Sequence, residues 1–404
     1  MLDEEQQHEV STRNAARIDN DNALGFQQND ESARKDKEVR LQLLDRFTWA
    51  NFTCTQSTGG VAILLSESPH QFRGLQVAGV VVFILNLVMF ALFTTAMVCR
   101  FVQRPSSLRK SVTKPPEAYF TGSLWLSMAA IIMCMQRFGV PHAGPWLIVT
   151  IRVLFWTYAA ITLTYNIIIF VVMFALSPLE PGTMSPPMFL MIYNAMLTGT
   201  VASAIAANQP LPQRMAIIVA GVAFEGLGWI LCLFFLPLFV SNMLINGLGP
   251  ANQRPGLFIS VGSAGYTIVA LIGCAKAIPD GYGYFAKHPT ASETLNVAAL
   301  WVGIFLWLVT FWLFAIALVA HVPILMSKCF NNKMSKPPHM SFSLSWWAIV
   351  FPNVGFTIAT IYIGEELESN AIAWVATVMT VLVFAAWLMD LFLHLRSIFQ
   401  KRIM

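Results

Sequence analysis

Beyond residue 46 the chain alternates between two kinds of apolar run, each long enough for a bilayer-spanning helix, which takes roughly 20 residues. The first kind mixes its apolar residues with Gly, Ser, Thr and mid-run Pro, as in residues 47–66, FTWANFTCTQSTGGVAILLS. The second is longer and almost wholly aliphatic and aromatic, as in residues 76–99, QVAGVVVFILNLVMFALFTTAMVC. Continued to the C-terminus, the alternation predicts ten helices over 47–66, 75–100, 118–137, 144–175, 186–207, 213–245, 254–276, 293–325, 341–364 and 368–398. In hydrocarbon a helix face bearing hydroxyls, an amide and small residues turns towards protein or water rather than lipid. The odd-numbered helices are therefore expected to form an inner ring around a pathway and the even-numbered ones an outer shield. The fold class is an all-α membrane protein shaped like a channel or transporter. Lys-Pro-Pro or Ser-Pro-Pro breaks precede the third, fifth and ninth helices, where Pro suits a helix start, and suggest a repeated hairpin.

Composition narrows this further. With 56% hydrophobic and 11% charged residues, the chain lies outside the range of soluble globular proteins. Residues 1–38 carry almost no apolar run and read as a disordered cytoplasmic tail, leaving residues 39–404 as one transport domain. No short apolar core follows Met1, so no cleavable signal peptide is expected. Basic residues gather on one side of the predicted spans: Arg100, Arg104, Arg109, Lys110 and Lys114, then Lys328, Lys333 and Lys336, then Arg396, Lys401 and Arg402. By the positive-inside rule both termini are cytoplasmic. The six cysteines show no paired spacing, so neither a disulfide framework nor a metal site is expected. Asn51-Phe52-Thr53 matches a glycosylation acceptor but falls inside the first helix.

A carboxylate stripped of water pays on the order of 20 kcal/mol, so an anion path must offer hydroxyls, amides, helix ends or cations. Thr55, Gln56 and Thr58 with Gly59 on the first helix, Ser260 and Ser263 on the seventh and Asn353 on the ninth are the candidate neutral lining. The hydroxyls around Gly59-Gly60 could equally serve helix packing. Intramembrane charge is functional by default. Arg254 opens the seventh helix, where free backbone donors favour anions, and is either a cytoplasmic-mouth cation or a cap. Arg152 is either a substrate contact or the partner of Glu225. Lys276 and Arg73 lie at the outer ends of their helices and could attract anions or snorkel to the headgroups. Asp390 and His394, one turn apart on the tenth helix, are expected at a solvated cytoplasmic end. His321 is expected to be a satisfied helix-end histidine.

Three strings, FTWANFTCTQSTGGVAILL, RPGLFISVGSAGYTIVALIG and WWAIVFPNVGF, closely resemble the fungal malic acid and C4-dicarboxylate transporters. These belong to the tellurite-resistance/dicarboxylate transporter family, with the plant slow-type anion channels and the fungal sulfite exporters. The resemblance covers the chain beyond its tail. It implies ten transmembrane helices as five hairpins in a quasi-fivefold arrangement around a central pore, and a trimer by analogy with the bacterial homologue. It also implies a pore-plugging Phe on the ninth helix: the pattern Trp-Trp-Ala-x-x-Phe-Pro falls on Trp346, Trp347, Ala348, Phe351 and Pro352, placing the gate at Phe351. Pro352 removes a backbone donor and kinks the helix, letting a ring just before it project into the lumen. The expected cargo is C4-dicarboxylates across the plasma membrane, malate first and succinate tolerated, with protons as a potential co-substrate. A sulfite or nitrate exporter of the same fold is the alternative. An enzyme would need converging His, Asp, Glu or Cys at mid-membrane, whereas the polar interior is mostly hydroxyls and Gly. No cofactor and no nucleic-acid partner are expected.

Overall fold

The computed structural model describes residues 47–176, 183–322 and 341–399. The expected tail and the loop cations Lys328, Lys333, Lys336, Lys401 and Arg402 lie outside the described residues. Among these the chain is helical and contains no strand. Its long helices are α1 (Phe52–Glu67), α2 (Leu75–Gln103), α3 (Gly122–Cys134), α4 (Pro145–Leu176), α5 (Leu190–Ile205), α6 (Leu211–Asn246), α7 (Val261–Lys276), α8 (Ala291–Val319), α9 (Phe351–Glu366) and α10 (Asn370–Phe399). A short surface helix, Pro105–Thr113, occupies what the sequence presents as a basic loop.

Nine helical stretches among the described residues are long and apolar enough to cross a membrane. The stretch containing α1 is not one of them, although every side chain from Phe52 to Leu65 is buried. In the most apolar windows of the stretches carrying α3, α5, α7 and α9, 67 to 94% of residues are buried, against 17 to 33% for α2, α4, α6, α8 and α10. The division into inner and outer helices is therefore present in three dimensions.

Packing orders these helices strictly. Each odd helix packs on the next, and α9 packs back on α1, so the inner ring closes. Each even helix lies over one seam of that ring: α2 against α1 and α3, α4 against α3 and α5, α6 against α5 and α7, α8 against α7 and α9, and α10 against α9 and α1.

The two rings also differ in length. Helices α1, α5, α7 and α9 have 16 residues each and α3 has 13, so the longest inner α-helix rises only about 24 Å. The outer helices run from 29 to 36 residues, more than a bilayer core needs unless they tilt. Every inner helix is preceded by a 3₁₀ segment: Trp49–Asn51, Glu117–Thr121, Pro186–Phe189, Ala251–Ser260 and Leu344–Ile349. The 3₁₀ form rises farther per residue than the α form, so these segments extend the short inner helices towards one face. The predicted seventh and ninth helices are therefore composite, changing from 3₁₀ to α after Ser260 and after Ile349. At the opposite face α3 ends in a π turn, Met135–Gly139.

Candidate functional site: a vestibule closed by two rings

The five 3₁₀ segments converge on a cavity of about 380 Å³ on the axis of the ring. Ala50, Thr53 and Gln56 line it from the α1 side, Pro116 and Phe120 from α3, and Pro186, Leu190 and Tyr193 from α5. Asn252, Gly256, Ile259, Gly262 and Tyr266 line it from α7, and Ser343, Ser345, Ala348, Phe351 and Pro352 from α9. Among the described residues its lining holds no ionisable side chain except the tyrosines. The polarity comes from hydroxyls, amides and the five converging helix starts, whose partial positive ends favour an anion.

The cavity ends on Phe351 and Tyr266. A second cavity, only about 20 Å³, begins on the other side of the same two rings, which is room for about one water. Phe351 and Tyr266 line both cavities and are each 2% exposed. Their ring centroids are 5.0 Å apart, and the Tyr266 hydroxyl donates to the Phe351 carbonyl at 2.9 Å. Two glycines make room for them. A Cβ on Gly60 would stand 3.1 Å from the Phe351 ring, and one on Gly355 would stand 2.7 Å from the Tyr266 ring. The change of helix type beside Phe351 is tied down by side chains. Ser57 donates to the Trp347 carbonyl at 3.1 Å, and Asn353 to the Ile349 carbonyl at 2.7 Å. As Pro352 has no N–H to give, these bonds hold a segment whose backbone ladder is interrupted.

The lining differs from the one expected by residue type. On α1 the axial stripe is Thr53, Gln56, Gly60, Ile63 and Glu67, spaced by three or four as one helix face requires. Thr55 faces α3 and bonds Ser127 at 2.7 Å. Thr58 accepts from Trp387 of α10 at 3.1 Å, and Gly59 packs on Ala130 and Asn86. Ser260 and Ser263 donate to their own helix at the Leu257 and Ser260 carbonyls. Of the neutral candidates, only Gln56 lines the vestibule; its Oε1 is buried without a hydrogen-bond partner. The missed residue is Tyr266. Its signal was a single aromatic side chain within the small-residue string Val261–Thr267.

The cations also find local roles. Arg254 donates from Nη1 to the Ala320 carbonyl at 2.9 Å and from Nε to the Gly249 carbonyl at 3.2 Å, so it caps the end of α8. Arg152 is half-buried on α4 and does not pair with Glu225. That carboxyl instead accepts from Thr267 of α7 through Oε1 at 2.8 Å, while Oε2 is unpartnered. Arg73 is exposed in the turn before α2. Lys276 lies 3.0 Å from Glu365 and 2.9 Å from Glu366 at the far end of the ring. Asp390 and His394 are not solvated: they are 0% and 5% exposed, and Trp347 donates to His394 at 3.2 Å. The α10 face they share is packed against the inner ring, which the i, i+4 spacing alone could not show. His321, beyond the end of α8, bonds the Ala317 carbonyl at 2.7 Å; burial, with Arg254 nearby, holds its imidazole below the usual range.

A closed ring of buried helices, jacketed by apolar ones and enclosing an interrupted axial path, defines a multi-pass membrane protein for moving small solutes. Residues 46–395 match the family model described as SLAC1, voltage-dependent anion channel, and the chain belongs to that family. It is 30% identical over 88% of its length to the malic acid transport protein of Schizosaccharomyces pombe, covering 79% of that protein. It is 29% identical to a putative malic acid transport protein of the same organism, over 90% of this chain and 83% of that one. The sulfite efflux pump SSU1 of Trichophyton rubrum is 26% identical over 84% of this chain and 87% of the pump. The chain is thus a transport protein for small anions, not an enzyme.

Proposed function

We infer that the protein carries C4-dicarboxylates, malate first and succinate as a tolerated substrate, across the plasma membrane along the axis of the inner ring. The observation that carries this reading is the pair of cavities meeting at Phe351 and Tyr266, in a chain related over 88% of its length to a malic acid transport protein. The architecture is ten spans in quasi-fivefold order, with residues 39–404 as the transport domain and residues 1–38 as a cytoplasmic tail. Both termini and the vestibule face the cytoplasm, since Arg100, Arg104, Arg109, Lys110, Lys114 and Arg396 fall on that side.

In this reading a dianion enters a vestibule of 3₁₀ starts, hydroxyls and amides. It passes when Phe351 and Tyr266 leave the axis, because a cavity of about 20 Å³ cannot hold a four-carbon diacid. The neutral lining suits a path whose cargo must be held weakly enough to leave. The test is uptake and counterflow of labelled malate in proteoliposomes at two pH values, with succinate, sulfite and nitrate as competitors. Saturable malate flux inhibited by succinate is expected, and its change with pH reports whether protons travel too. A sulfite or nitrate current without malate flux would transfer the reading to the cargo of the sulfite efflux relatives.

A further inference from the structure

Past the two rings, the first ionisable groups lining the path are Glu67 and Tyr362. A carboxylate at the exit of an anion path would repel the cargo unless it were neutralised, and it is: Arg137, in the π turn that ends α3, pairs with Glu67. Across the mouth, Lys276 pairs with Glu365 and Glu366 at about one third exposure. Tyr362 connects the two pairs. Lys276 Nζ stands 5.4 Å from its ring centroid, the ring lies against Gly273 of α7, and it lines the small cavity together with Glu67, the partner of Arg137. Single π turns of this kind recur at functional sites.

We propose that Arg137 and Lys276, linked through Glu67 and Tyr362 at the end of the path, form the exit site for a dicarboxylate, with Glu67 and the Glu365/Glu366 pair standing in for the two carboxylates of the cargo when the site is empty. The Lys276 pairs, about one third exposed, contribute little to stability, so a ligand carboxylate exchanges with Glu365 or Glu366 at small cost. Glu67 is only 10% exposed and holds Arg137 more firmly. A dianion meets both cations in one molecule, so its second contact forms at high effective concentration. A monoanion gains only one. The glutamates then return to the cations and release the cargo, giving an exit site that binds without trapping.

This site rests on the dicarboxylate reading above. The experiment is labelled-malate efflux from right-side-out vesicles against graded external succinate, with acetate as the monovalent probe. The combined variant Glu67→Gln, Glu365→Gln, Glu366→Gln removes the stand-ins and is expected to lower half-saturating external succinate about tenfold, with a smaller shift for acetate. A gain of this kind cannot come from misfolding. Arg137→Gln with Lys276→Gln is expected to raise it about tenfold, with half-saturation by internal malate unchanged. Unchanged external half-saturation in the triple Gln variant, or equal shifts from both faces, overturns the site while leaving dicarboxylate transport standing. No malate flux in the unaltered protein overturns the substrate reading and the site together.

Discussion

At the scale of single residues, two rings and the glycines that admit them lie between the two cavities. Phe351→Ala deletes one of the two rings shared by both cavities and is expected to give a constitutive anion leak, read as malate efflux that no longer saturates. Flux like that of the unaltered protein would show that Phe351 only packs. Tyr266→Phe keeps the ring and removes its bond to the Phe351 carbonyl, a bond of a type worth about 0.5–1.5 kcal/mol net. Efflux is expected to rise up to about tenfold with substrate preference unchanged. Gly355→Ala acts in the opposite sense. Its Cβ would stand 2.7 Å from the Tyr266 ring, an overpacking that typically costs about 1–3 kcal/mol and is expected to lower the thermal midpoint in detergent. The motif named Phe351, which the structure places between the two cavities, but residue type did not name the side chains that line them. Thr55, Thr58, Ser260 and Ser263 are as hydroxylated as a path lining should be, yet each turns to its own backbone or a neighbouring helix. Helical phase decides which residues face the axis, and phase becomes readable only once one residue of the stripe is known. Glu225 shows the same limit, since residue type offered Arg152 as its partner while the fold gave it Thr267.

At the scale of elements, the alternation of polar-small and greasy runs foretold the two rings, because lipid exposure acts on whole helices. Unforeseen were the shortness of the inner helices and their 3₁₀ starts. A hydropathy pattern does not distinguish a 3₁₀ segment from an α-helix, and both bury the same side chains here. The surface helix Pro105–Thr113 was hidden by its own basic charge, although Pro105 at its first turn is a recognised start signal. It is tied to the first inner element through Trp49 Nε1, which donates to Ser111 Oγ at 3.1 Å. The capping of α8 by Arg254 makes an element-level prediction. Arg254→Gln removes a charged donor from the Ala320 carbonyl, at about 1–3 kcal/mol for a group left unsatisfied. It should lower the thermal midpoint while leaving half-saturation by internal malate unchanged. A loss of malate affinity at unaltered stability would instead return Arg254 to the mouth of the path.

At the scale of the whole molecule, the closed ring separates transport energetics from binding chemistry. Among the described residues the vestibule lining carries no cation, so it does not trap the cargo, and direction comes from the membrane. Each elementary charge gains about 2.3 kcal/mol in crossing 100 mV. A malate dianion moving alone out of an inside-negative compartment therefore gains about 4.6 kcal/mol, more than three decades of distribution ratio, and a monoanion half of that. Proteoliposomes with an imposed potassium diffusion potential measure this directly, as the steady-state malate ratio at two pH values. If the dianion moves alone, the expected ratio of total malate follows the dianion slope at neutral pH, after each compartment is corrected for its ionisation state. Obligatory movement with one proton instead gives the monoanion slope at constant pH on both sides, and a ratio that then shifts tenfold per unit of imposed pH gradient. A ratio indifferent to voltage would require two protons per malate or an exchanged anion of equal charge. The first of those would carry protons on malate, whose carboxyls are ionised at neutral pH, or on an axial carboxylate. Among the described residues that carboxylate is Glu67, already paired with Arg137 beyond the two rings, and the vestibule lining has tyrosines as its ionisable side chains. Transport driven by voltage alone is therefore the expected result, with the two rings opening for a dianion that the field is already pushing outwards.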